Sequence, residues 1–147
     1  MYFQSVLRQG FRHTVHSACT ALLILLFIYA ALSKLLNLEL FRGQLYNQSF
    51  SHDLADLLLW GLPLSELLTC GLLLFPLSRR LGLLLSLVLM TVFTLYIILV
   101  LLGYWERVPC SCGGILEHLN WTQHLYFNLF FLLLAMSGLA FGPEPEP

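Results

Sequence analysis

Two thiols stand one residue apart in Pro109-Cys110-Ser111-Cys112-Gly113-Gly114, a short polar stretch in an otherwise apolar chain. Thiols so spaced suit disulfide exchange, binding of a soft metal ion, or a local cross-link. Pro109 sets the entry to a turn, and Gly113 and Gly114 open backbone conformations that other residues resist. A disulfide between positions i and i+2 closes only if the chain bends, and a strained disulfide is the more easily reduced one. A staple across one residue removes almost no chain entropy, because that benefit grows with loop length. The pattern therefore favours exchange at Cys110 and Cys112 over stapling. The metal reading takes Cys110 and Cys112 with His118 or His124 as copper or zinc ligands, although the spacing is not the usual zinc C-x2-C.

A second set of chemistry-bearing residues lies within apolar stretches, where an ionisable group is costly and marks a candidate site. Glu66 follows Pro63 and is expected to face a bundle interior, either to transfer protons or to order the helices. Lys34 is expected to snorkel to the interface; its functional reading is a cation that stabilises a thiolate or a reduced quinone. Tyr29 lies close to the same face. Asn120, His124 and Asn128 recur every four residues and line one helical stripe. Histidine is the side chain that changes charge near neutral pH, which makes His124 a proton or quinone candidate beside Asn128. Cys19 and Cys70 read as small buried apolar groups.

The elements that must hold these residues are legible from composition. The chain has 147 residues, 59% hydrophobic and 10% charged, against about 25% charged in soluble domains. With a formal net charge of -1 it has no basic surface to recommend a nucleic-acid partner. Apolar segments over roughly 15–36, 54–77, 81–103 and 122–141 are each long enough to cross a ~30 Å hydrocarbon core as a helix. The prediction is an all-α integral membrane four-helix bundle over residues 1–141, followed by a disordered tail over 142–147 rich in Pro and Glu. The first segment has too long an apolar run for a cleavable signal and reads as a retained helix. Arg8, Arg12, Arg79 and Arg80 fall on one side, while the acids Glu39, Asp53, Asp56, Glu106 and Glu117 fall on the other. The positive-inside rule then puts both termini in the cytoplasm and the Cys loop outside it, facing the periplasm if the membrane is a bacterial inner membrane. Thiols there meet oxidising chemistry.

The hydropathy, Tyr29 with Ser33-Lys34-Leu35, Pro63 with Glu66, and above all Val108-Pro109-Cys110-Ser111-Cys112-Gly113-Gly114 resemble the MauE/DoxX family of redox-associated membrane proteins, over about Ser17 to Gly138. The resemblance implies a four-helix inner-membrane protein linked to thiol redox processes, sometimes beside thioredoxin-like proteins; its DoxX branch is linked to quinol or thiosulfate oxidation. The expected function is a membrane thiol–disulfide redox component. Its Cys110/Cys112 loop exchanges with an extracytoplasmic thioredoxin-like partner and is coupled to a quinone near Lys34, Glu66, His124 and Asn128. Two other readings stand beside it: a non-catalytic subunit of a larger membrane complex, and a copper- or zinc-handling membrane protein.

Overall fold

The computed structural model describes residues 2–48, 51–105 and 119–142. The loop residues Pro109, Cys110, Cys112, Gly113 and Gly114, together with His118 and the tail 143–147, lie outside the described residues. The chain is all-helical there, as the hydropathy predicts. Its helices are α1 (Tyr2–Leu36), α2 (Leu38–Tyr46), α3 (His52–Leu74), α4 (Arg79–Leu101) and α5 (Trp121–Phe141). Four stretches, Arg8–Leu36, His52–Leu74, Arg79–Leu101 and Trp121–Phe141, are long and apolar enough to cross a membrane.

The helix ends depart from the hydropathy boundaries for local reasons. α1 begins at Tyr2, well before the apolar run, because no proline interrupts the polar turns ahead of it. The apolar run through Leu77 stops being helical at Leu74, since Pro76 pushes Phe75 into an extended conformation (φ -90, ψ 126). Arg79 and Arg80, which fall between the second and third apolar segments, open α4. α4 ends in a Schellman motif: Gly103 at φ 68 lets Tyr104 N–H reach Leu99 O at 3.1 Å and Gly103 N–H reach Val100 O at 3.1 Å. α5 starts with a capping box, in which Asn120 and Gln123 each accept the other's backbone N–H.

The four long helices pack in a ring, α1 on α3, α3 on α4, α4 on α5 and α5 back on α1. Leu23, Phe27, Cys70, Leu73, Leu83, Met90 and Ala135 form the buried centre. Leu25, Leu57, Leu64, Val88 and Leu133 stay exposed on the outside. An apolar exterior around a packed interior is the arrangement that lipid requires. The short α2 packs on α3 and, more lightly, on α1, and seats Phe41 and Leu45 against Ala55 and Leu59 of α3. The Tyr46 hydroxyl donates to the Asp56 carboxylate, which raises the phenol's pKa and ties α2 to α3.

The α3–α4 hairpin is tight at Gly82. A Cβ there would sit 2.8 Å from the Leu73 backbone nitrogen and 3.0 Å from the Leu72 carbonyl carbon. Both are backbone atoms of α3 and cannot rotate away. Gly82→Ala is therefore expected to cost about 1–3 kcal/mol by overpacking, seen as a lower midpoint when helical circular dichroism is followed through denaturation in detergent. An unchanged midpoint would show that the hairpin opens freely.

Candidate functional site

The site is built from α1 and α3 outward. Lys34 lies one turn beyond Ala30 on α1 and is only 7% exposed. Its Nζ donates to Glu66 Oε1 at 2.8 Å and to the Ala30 carbonyl at 3.0 Å. The ammonium also stands 5.9 Å from the centre of the Phe41 ring, supplied by α2. The snorkelling expected of Lys34 does not occur. A buried carboxylate within reach and the Phe41 ring of α2 beside it hold the ammonium inward. Glu66 is 1% exposed, on the inner face of α3. Pro63, one turn earlier, lies inside that helix. A proline there frees a backbone carbonyl from its usual partner and loosens the turn leading to Glu66. The nearby Ser65 and Thr69 hydroxyls donate back to the carbonyls of Leu62 and Ser65.

The ion pair borders a cavity of about 260 Å3. α5 contributes His124 and Asn128 to its wall, α4 contributes Met90 and Tyr96, and Gln48 follows α2. The aromatic side is continuous: Trp121 stacks on His124 with ring centres 6.1 Å apart, Tyr96 faces Trp121 at 6.5 Å, and Trp105 packs on Tyr96 at 5.3 Å. The Tyr96 hydroxyl donates to Gln48 Oε1, and Gln48 Nε2 donates to the Gln44 carbonyl at 3.3 Å. This joins α4 to the end of α2.

Two buried polar atoms have no hydrogen-bond partner among the described residues, Glu66 Oε2 and His124 Nδ1. Both side chains line the cavity. Buried polar atoms are almost always satisfied, so an unpaired acceptor and an unpaired imidazole nitrogen in one cavity suit a ligand with polar atoms of its own. At about 260 Å3 the space is just below the range of ordinary ligand pockets, roughly 300–1,000 Å3, and suits a single ring.

Four of the residues singled out in the sequence, Lys34, Glu66, His124 and Asn128, are brought together here. Tyr29 is not; it is 37% exposed and does not line the cavity. Sequence reasoning missed Gln48 and Tyr96. A lone glutamine before a loop and a tyrosine in an apolar helix carry no pattern of their own. It also missed the Lys34–Glu66 partnership, for which one cation and one anion in consecutive apolar segments was the available signal. Cys19 and Cys70 are buried free thiols, and Cys70 Sγ lies 3.6 Å from the Ile24 carbonyl. Among the described residues no three His, Cys, Asp or Glu side chains gather as a metal site.

The described residues on either side of the stretch bearing Cys110 and Cys112 lie beside this cavity. The described chain leaves at Trp105, which packs on the lining residue Tyr96, and resumes at Leu119, two residues before the lining residue Trp121.

These features define a polytopic α-helical membrane protein with a buried ion pair on the wall of a polar-ended cavity. The family described as methylamine utilisation protein MauE matches residues 12–141, and the chain belongs to that family. No curated protein and no solved structure matches the chain.

Proposed function

We propose that this protein is a membrane thiol–disulfide redox component in which the Cys110/Cys112 pair exchanges with a thioredoxin-like partner and communicates with a quinone held in the cavity of Lys34, Glu66, His124 and Asn128. The description of the family, methylamine utilisation protein MauE, supports a redox setting. The observation that carries the reading is the coincidence of two unpartnered polar atoms, Glu66 Oε2 and His124 Nδ1, in a ring-sized cavity whose lining residues Tyr96 and Trp121 adjoin the described chain on either side of the two loop thiols. Covalent reach alone keeps Cys110, five residues from Trp105, within about 18 Å of it.

The chemistry balances. Joining the two thiols as a disulfide releases two electrons and two protons, and a bound quinone supplies the matching two-electron, two-proton couple in either direction. Thiolate attack on a partner disulfide proceeds through a mixed disulfide. Within the cavity Lys34 and His124 can donate to a quinone oxygen, while Glu66 Oε2 and His124 can accept a proton from a quinol hydroxyl. The ion pair keeps the site neutral, and the aromatic wall of Tyr96 and Trp121, with Trp105 packed behind Tyr96, covers the ring. In this reading both termini face the cytoplasm and the loop faces the periplasm of a bacterial inner membrane.

Decylubiquinone titrated into purified protein, followed by tryptophan fluorescence, tests the cavity assignment. Saturable quenching is expected from Trp105 and Trp121. His124→Leu is expected to weaken binding about tenfold, through the loss of one buried hydrogen bond. Equal affinity in the variant and the wild type would remove His124 from the site.

A further inference from the structure

The opposite end of the bundle holds a second cavity, of about 290 Å3. Arg12 of α1 and Arg79 and Arg80 of α4 line it, with His16 in the wall. His16 is 6% exposed, and its Nδ1 lies 2.8 Å from the Gly138 carbonyl of α5. A carbonyl only accepts, so that nitrogen carries the proton and the ring is fixed in place. The arginines are only partly committed. Arg79 Nε donates to the Leu73 carbonyl at 3.2 Å, and Arg12 makes a long 3.5 Å contact with the Gly142 carbonyl. No carboxylate lines the cavity, and the one ion pair among the described residues, Lys34–Glu66, belongs to the other site. Three guanidinium groups at the end of membrane-spanning helices thus have no described counter-charge.

We propose that this cavity binds the phosphodiester headgroup of an anionic phospholipid. Guanidinium forks match phosphate oxygens, and basic pockets between helix ends recruit anionic headgroups. Apolar atoms complete the site: Pro76, Leu139 and Ala140 share the wall with the arginines. The neighbouring Phe75, Leu77 and Leu81 are exposed outward, where acyl chains would run. A free phosphate would make no use of that apolar surface. The lipid would bridge α1, α4 and α5 at the end away from the quinone cavity. It does not depend on the redox reading.

Native mass spectrometry of the full chain, with dioleoylphosphatidylglycerol or dioleoylphosphatidylcholine added to the detergent, tests this. The anionic lipid is expected to be retained more than tenfold over the zwitterionic one, at about fivefold per arginine. Arg12→Gln/Arg80→Gln is expected to lower the ratio to about fivefold, the share of the remaining Arg79, and Arg12→Lys/Arg80→Lys to keep most of it, which separates lost charge from lost fold. Equal retention of both lipids by the wild type, or an undiminished preference in the double glutamine variant, would overturn the proposal. So would displacement of the lipid by an equal concentration of inorganic phosphate. It would also fall if the lipid were retained only after Glu144→Gln/Glu146→Gln, because the acidic tail would then be the occupant.

Discussion

Lys34→Met is expected to destabilise the protein by about 3–5 kcal/mol, because it leaves the Glu66 carboxylate buried without its partner. Glu66 is 1% exposed and Lys34 is 7% exposed, so bulk solvent reaches neither charge directly. The reverse single change, Glu66→Leu, strands the ammonium in the same way. The double variant Lys34→Met/Glu66→Leu removes both charges and fills the space with apolar atoms. It is expected to recover most of the stability, since replacing a buried pair by well-packed hydrophobic groups is often neutral or favourable. The double variant is also expected to lose decylubiquinone binding. A recovered fold without ligand response would assign the pair to function, because order of the bundle alone would not need it. Denaturation in detergent followed by circular dichroism reads the first effect and fluorescence titration the second. If Lys34→Met were as stable as the wild type, the Glu66 carboxylate would not depend on its partner, and the pair would hold no buried charge in place.

The second large effect concerns the thiols. Changing one cysteine of the loop to serine removes the resolving thiol, so the remaining one should stall as a mixed disulfide. Cys110→Ser or Cys112→Ser is expected to trap a thioredoxin-like protein in a reductant-sensitive adduct on non-reducing gels. The double serine variant is expected to trap nothing and to reduce exchange to background. If neither single variant trapped a partner and redox behaviour stayed normal, the loop would not be an exchange site. If the double serine variant kept full activity while changes on the helix faces broke a complex, the chain would act as a structural subunit. Stoichiometric copper or zinc after anaerobic purification would favour metal handling by Cys110, Cys112 and a histidine.

Much of the architecture was legible because lipid imposes a simple rule: each crossing must be an apolar helix about 20 residues long. The ends were less legible, since they depend on single residues such as Pro76 and Gly103 rather than on average hydropathy. α2 was not anticipated. It is 9 residues long, too short for a membrane signal, and its formation depends on packing against α3. That packing also explains why Lys34 was misread. Sequence position placed it near a helix end, where snorkelling is the ordinary outcome, but Phe41 of α2 packs beside it and Glu66 lies within 2.8 Å. Glu66 and the His124–Asn128 stripe were legible because polar groups in an apolar helix stand out. Gln48 and Tyr96 join the site only through the tertiary arrangement of α2 and α4. Arg12, Arg79 and Arg80 spoke in the sequence only of orientation; their convergence with His16 on one cavity depends on the close approach of α1, α4 and α5.

If the loop thiols respond to a quinone through the cavity, their alkylation in native membranes follows the state of the quinone pool. The chain has four cysteines. After denaturation, a reduced loop should accept one more pair of alkylating groups than a loop closed as a disulfide, with Cys19 and Cys70 as the constant background. The account predicts that the Cys110/Cys112 count shifts when the membrane quinone pool is driven from oxidised to reduced, and that the shift disappears in His124→Leu. Two loop thiols that keep the same state whatever the quinone pool does would contradict it.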